Sequence, residues 1–293
     1  MGRPILNRLG RFLMALLCTA GVLSGGFLLL CAGGVLDPAV LVPREEAAAV
    51  SAQPAQPVPA EDPEPFRTLR LSPEELDQAS VLAQGYDGVV VTMKEADGSL
   101  GYVSALALAA DAGASWGDLD RNEALRALNR QPGLYTVAQV SCLRDSLVVQ
   151  QDPSLALRRE SGSPWRDAGG LTWLDPANTQ VQDYLIGLCR ELAQLGFDEV
   201  VLTDCCYPTQ GDLTCLAGTG DRAGTLETFC RRLQGALADY PVRLSVVGEG
   251  DSLAPNSPSG QTAALLASFP GRVWAEEENA AALAVFSPVV MPE

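Results

Sequence analysis

The chain has 293 residues, 47% hydrophobic and 19% charged, which is enough apolar material for a sizeable core and excludes wholesale disorder. A formal net charge of -16 with no basic stripe lacks the counterion-release drive for nucleic acid and excludes that partner. Histidine is absent, so Ser-His-Asp systems, Cys-His systems and His-ligated metals are excluded, and any catalysis rests on carboxylates, lysine, tyrosine, cysteine or the backbone.

In chain order, a basic segment (1–11) with Arg3, Arg8 and Arg11 precedes an uncharged run from Phe12 to Leu36, and Asp37 comes next. The run is long enough to cross a bilayer, and the charge bias puts the N-terminus in the cytoplasm and the rest outside. A cleaved signal peptide is the alternative, and it too exports the remainder of the chain. Gly21 and Gly25 form a GxxxG pair whose match is weak in a glycine-rich segment. Residues 37–70, rich in Pro, Ala, Glu and Gln, read as an extended linker. Residues 71–293 read as the domain.

Ser72-Pro73-Glu74-Glu75 predicts a helix start with a capping box. Gly88 to Met93 predicts a buried strand, and Tyr102-Val103-Ser104 the start of a second. A helix is expected over Arg121 to Asn129, then a strand over Leu134 to Val140. Thr179 is expected to cap a helix carrying Val181, Leu185, Leu188, Leu192 and Leu195 at helical spacing, closed by Gly196. The strand Glu199–Thr203, a helix from Leu226 to Asp239 and the strand Val242–Val247 come after it, with Leu283 to Val290 expected as one more strand. Alternating strands and helices on short connections predict a parallel α/β sheet with function at the C-terminal strand ends.

Eight cysteines are present. Six lie beyond the apolar run, an even set that permits disulfides without showing them. Cys205, Cys206, Cys215 and Cys230 could in principle hold zinc, but they lack a CxxC knuckle, and ordinary thiols are the favoured reading. No P-loop or dinucleotide fingerprint follows a strand, so no metal and no cofactor is expected.

Several blocks resemble one bacterial family. They are Gly162-Ser-Pro-Trp165-Arg-Asp, Thr172-Trp173-Leu-Asp175-Pro176-Ala-Asn178, and Gly196-Phe197-Asp198-Glu199 with Tyr207-Pro208 after the strand. Val89 to Gly98, Leu143-Arg144-Asp145 and Ser287 to Pro292 support the match, which covers most of residues 72–292. The family is a glycoside-hydrolase-like TIM-barrel domain, distantly similar to the amylase barrels. The resemblance implies a (β/α) barrel, a carbohydrate (polysaccharide) ligand and paired carboxylates, one protonating the leaving oxygen and one acting as nucleophile or base.

The match departs from the family pattern near the expected mouth. Thr92, Gln139, Thr203 and Cys206 stand where the family carries charged residues, and the chain stops at Glu293, where the family continues. An incomplete or degenerate TIM-barrel-like fold is therefore expected. Asp204 lies one residue past the family's position, and in a regular strand that shift turns a side chain to the other face, so a bulge would be needed to return it.

Asp204 and Glu249 come after successive strands and are the candidate catalytic pair; solvated loop carboxylates are the plainer alternative in so acidic a chain. Lys94 and Asp145 are candidate substrate ligands or simple strand-end charges. Trp165 and Trp173 are candidate sugar platforms or packing under a long loop. The expected function is a membrane-tethered, extracytoplasmic glycoside hydrolase acting on or binding cell-envelope polysaccharide. The alternative is a catalytically inactive barrel that binds glycan or protein, because folds host many functions.

Overall fold

The structure, a computed structural model, describes residues 66–293 apart from Trp116 and Asp118. The apolar run Phe12–Leu36 and nearly all of the linker lie outside the described residues. Among the described residues no helix is long and apolar enough to cross a membrane.

Seven strands form one parallel sheet in chain order: β1 (Thr68–Leu71), β2 (Gly88–Lys94), β3 (Thr136–Ser141), β4 (Glu199–Thr203), β5 (Arg243–Val247), β6 (Val273–Ala275) and β7 (Val289–Val290). The helices are α1 (Ala79–Leu82), α2 (Ala107–Asp111), α3 (Leu119–Asn129), α4 (Ser146–Gln151), α5 (Thr179–Leu195), α6 (Arg222–Leu237), α7 (Ala263–Ala267) and α8 (Glu277–Ala280).

Side chains alternate across the strands, so each strand feeds two cores. Val89, Val91, Val140, Val200, Leu202 and Val246 pack outward beneath helix residues such as Leu125, Leu185, Leu188 and Phe229. Val90, Val137, Val201, Val247, Trp274, Val289 and Met291 pack inward on one another, joined by Phe66 and Tyr135. Burial on both faces explains why β2 and β4 read as unbroken apolar runs.

The inner core curls the sheet. Phe66, ahead of β1, meets the Trp274 ring of β6 edge-on at 6.4 Å. Arg70 of β1 donates from Nη2 to the Pro292 carbonyl beyond β7 at 2.9 Å, and from Nη1 to Gln139 Oε1 at 2.6 Å and Thr92 Oγ1 at 3.1 Å. No ladder joins β1 to β7, so side chains bridge the seam of an open half-barrel, as the incomplete-barrel reading requires. Arg70→Met is expected to destabilise the domain by about 1–3 kcal/mol, since it strips three acceptors of a charged donor; a urea melt at constant m measures it.

At the opposite end of the inner face, the fully buried Glu199 accepts from Trp274 Nε1 at 2.7 Å and Tyr135 Oη at 2.8 Å, and pairs with Arg272. Glu199 is thus structural and lies at the end away from the mouth.

Several local expectations change. Residues 68–70, read as the tail of the linker, belong to β1 (Thr68–Leu71); a four-residue strand carries too little periodicity to declare itself. The Ser72 capping box forms, but it opens a 3-10 turn over Pro73–Gln78. Tyr102-Val103-Ser104 is not a strand: the Tyr102 and Ser104 hydroxyls both donate to Glu191 Oε2, which draws the segment to α5. Asn178, not Thr179, caps α5, accepting from Gln180 N at 2.9 Å. Within Leu283–Val290, Ala284–Phe286 form a 3-10 turn and only Val289–Val290 pair as a strand.

Candidate active site

Asp204 and Glu249 stand just past the C-terminal ends of β4 and β5, which are hydrogen-bonded neighbours. Both line one cleft of about 200 Å³, walled by Arg144, Asp167, Trp173, Cys206, Thr209 and Gln210. This is the strand end where barrel chemistry gathers.

The device that returns Asp204 to the mouth is not the bulge expected from the sequence. The strand ends at Thr203, and Asp204 adopts left-handed backbone with φ 50. Aspartate tolerates that conformation better than most residues. Its Oδ2 accepts from Ser141 Oγ of β3 at 2.6 Å, and its Oδ1 lies 3.6 Å from Arg144 Nη1.

Arg144 is held from behind. Its Nε donates to Asp167 Oδ2 at 3.1 Å, Nη2 lies 3.0 Å from the same oxygen, and the guanidinium sits 5.7 Å from the Trp173 ring centroid. Asp167 also accepts from Trp173 Nε1 at 3.0 Å and from the Gly169 and Leu171 amides. Burial pushes the Asp167 carboxyl upward, but donation from Trp173 and Leu171 and the Arg144 charge outweigh it, so its pKa is lowered. An anchored anion thus aims a cation at the catalytic candidate.

Glu249 is the protonatable partner. Burial comes first in raising its pKa, the Cys206 thiol opposes this by donating to Oε1 at 3.6 Å, and the charges of Asp204, Asp251 and Glu276 raise it further. At Gly248, just before Glu249, a Cβ would stand 2.7 Å from Leu283 Cδ1, so the buried Leu283 side chain would have to shift. Burial and the neighbouring Glu249 also push the Cys206 thiol well above its ordinary pKa, so it is a neutral donor rather than a nucleophile.

The other candidates divide. Trp173 lines the cleft, but its indole N–H is spent on Asp167. Three candidates are corrected. Trp165 is wholly buried, donating to the Asp212 carbonyl at 2.9 Å with its ring against Gly211, so it has no face for a sugar. Lys94 and Asp145 are 1% and 0% exposed and pair with each other at 3.2 Å. A bulge between Thr92 and Lys94 sends Lys94 to the outer face, where it donates to the Ser141 and Arg144 carbonyls. Asp145 accepts from Val148 N to cap α4. Neither offers an atom to a ligand.

The four cysteines weighed as a zinc set diverge. Cys205 faces Cys230 at 3.8 Å, Cys206 faces Glu249, and Cys215 donates to Asp212. Among the described residues no group of three or more His, Cys, Asp or Glu could hold a metal ion.

Sequence reasoning missed Arg144, Asp167 and Ser141 as site residues. Arg144 and Asp167 lay inside the recognised blocks, but their 23-residue separation hid that they pair.

No curated protein matches the chain. The fold is similar to that of a hypothetical protein from Ruminiclostridium thermocellum, with 26% identity and TM-score 0.53 over 61% of this chain and 96% of that one. It is also similar to the GH20 exo-β-N-acetylglucosaminidase from Vibrio harveyi, with 14% identity and TM-score 0.53 over 74% of this chain. This chain spans 39% of the Vibrio enzyme, and the likeness concerns fold alone. Residues 78–268 match the family described as "Putative glycosyl hydrolase domain", and the chain belongs to that family.

Proposed function

We propose that this domain hydrolyses glycosidic bonds with Glu249 as general acid and Asp204 as the opposing carboxylate. The observation that carries the reading is that two carboxylates from adjacent strand ends share one cleft in unlike surroundings. Glycoside hydrolysis uses such a pair, one protonated and one anionic. Glu249, half-buried among Asp204, Asp251 and Glu276, retains its proton to higher pH and suits proton donation to the leaving oxygen. Asp204, met by the Ser141 hydroxyl and the Arg144 guanidinium, suits the face where positive charge develops.

The substrate class we infer is a cell-envelope polysaccharide, with Phe12–Leu36 as the anchor that holds the domain outside the membrane.

A second reading, a non-catalytic glycan-binding or protein-binding barrel, has one observation in its favour. Arg70 occupies Thr92 and Gln139, two of the inward positions where the family is charged.

The test is a reducing-end assay of the full-length chain on envelope and storage polysaccharides, beside Asp204→Asn and Glu249→Gln. Cleavage lost in either variant establishes the hydrolase. Glycan retention without cleavage by the folded wild type establishes the binder.

A further inference from the structure

Gln261 lies outside the cleft, wholly buried at 0% exposure. A side-chain amide has two N–H donors and two acceptor lone pairs. Here all four are used. Nε2 donates to the Cys205 carbonyl at 3.2 Å and the Val247 carbonyl at 3.0 Å. Oε1 accepts from the Glu249 amide at 2.8 Å and from Ser252 Oγ at 2.8 Å. Cys205 directly follows Asp204, and Val247 ends β5 two residues before Glu249. One amide therefore ties the segments that carry both carboxylates.

The loop bearing Gln261 is itself fastened. Ser259 is fully buried, its Oγ accepts from the Gln261 amide at 3.2 Å, and its carbonyl accepts from Tyr207 N at 2.7 Å, beyond Cys206.

We propose that Gln261 is a positioning residue that locks the Asp204 and Glu249 loops to each other and holds the cleft at its working width. The inference rests on the hydrolase reading of that pair. It also explains why a wholly buried polar side chain is retained with every donor and acceptor used, since partial satisfaction would be costly. Without the clamp, Glu249 is free to leave its surroundings of Cys206, Asp204, Asp251 and Glu276 for water, which lowers its pKa toward the ordinary glutamate value.

The experiment uses the full-length chain labelled with carboxyl-13C glutamate, with Glu249 assigned by its absence in Glu249→Gln. In Gln261→Met the Glu249 titration midpoint is expected to move down toward the ordinary value. The turnover number is expected to fall about 10- to 100-fold with KM changed little, as a misplaced catalytic group requires. Gln261→Asn keeps a neutral amide but is one methylene too short to reach both the Val247 and Cys205 carbonyls and the Glu249 amide; if Gln261→Met does not fold, the same downward shift is expected in Gln261→Asn. An unchanged midpoint in a folded variant overturns the proposal. The NMR measurement decides on Gln261 even where the wild type cleaves no glycan, so the two readings fail separately.

Discussion

Glu249→Gln is expected to lower the glycan-cleavage rate by about 10²–10⁴-fold, the range for removing a positioned general acid. Glutamine has no proton to give to the leaving oxygen, yet it preserves the shape that lets Cys206 and the loop pack. Asp204→Asn should be at least as damaging, because the cleft then loses the anion that faces Arg144 and Ser141. The wild-type pH profile should show an alkaline limb set by Glu249, falling as pH rises through its raised pKa, and Glu249→Gln should lack that limb.

The same shift has a consequence for stability. The folded Glu249 binds its proton more tightly than the unfolded one, whose pKa is near 4.5. Between that value and the raised folded pKa the native state holds more protons, so stability falls as pH rises through the window. Above it the buried charge is a standing cost, and below the unfolded pKa the cost is absent. Glu249→Gln should therefore melt higher than the wild type at neutral pH, with the gain vanishing near pH 4. Calorimetric scans at both pH values check this. A variant that is less active and more stable is what a strained catalytic group predicts, whereas a plain surface carboxylate would change neither.

The second large effect belongs to Lys94 and Asp145. Either Lys94→Met or Asp145→Ala should destabilise the domain by about 3–5 kcal/mol, because each leaves its partner charged and buried without a counter-ion. Losing Lys94 would leave the Ser141 and Arg144 carbonyls without their donor, while losing Asp145 would leave α4 uncapped. The site is also crowded: a Cβ on Gly98, whose φ is +103, would stand 2.1 Å from Asp145 Oδ1. Denaturant midpoints measure the loss. The double variant should lose less than the sum of the singles, and strict additivity would show that the pair does not interact. Since Ser141 and Arg144 both reach Asp204, this ion pair supports the cleft from behind without touching a ligand.

The fold class was legible because strands buried on both faces and helices with one apolar stripe leave different periods in a sequence. Gly88–Met93, Glu199–Thr203 and the helical spacing of α5 carried that signal, and the tryptophan and Gly-Phe-Asp-Glu blocks carried the family. The strands Thr68–Leu71, Val273–Ala275 and Val289–Val290 were hidden or blurred, since two to four residues do not establish a period and their pairing depends on neighbours distant in the chain.

For the site, the sequence by itself determined the chemistry available: no histidine, abundant carboxylates, and Asp204 and Glu249 after successive strands. Only the tertiary structure decided which groups meet. The left-handed backbone at Asp204 turns its side chain into the mouth, against the strand parity the sequence implied. The bulge before Lys94 does the reverse and buries a charge that looked available. Side-chain direction at a strand end is set by one φ angle or one inserted residue. Partners such as Arg144 with Asp167, or Gln261 with Glu249, are chosen by the curl of the sheet, which no local spacing records.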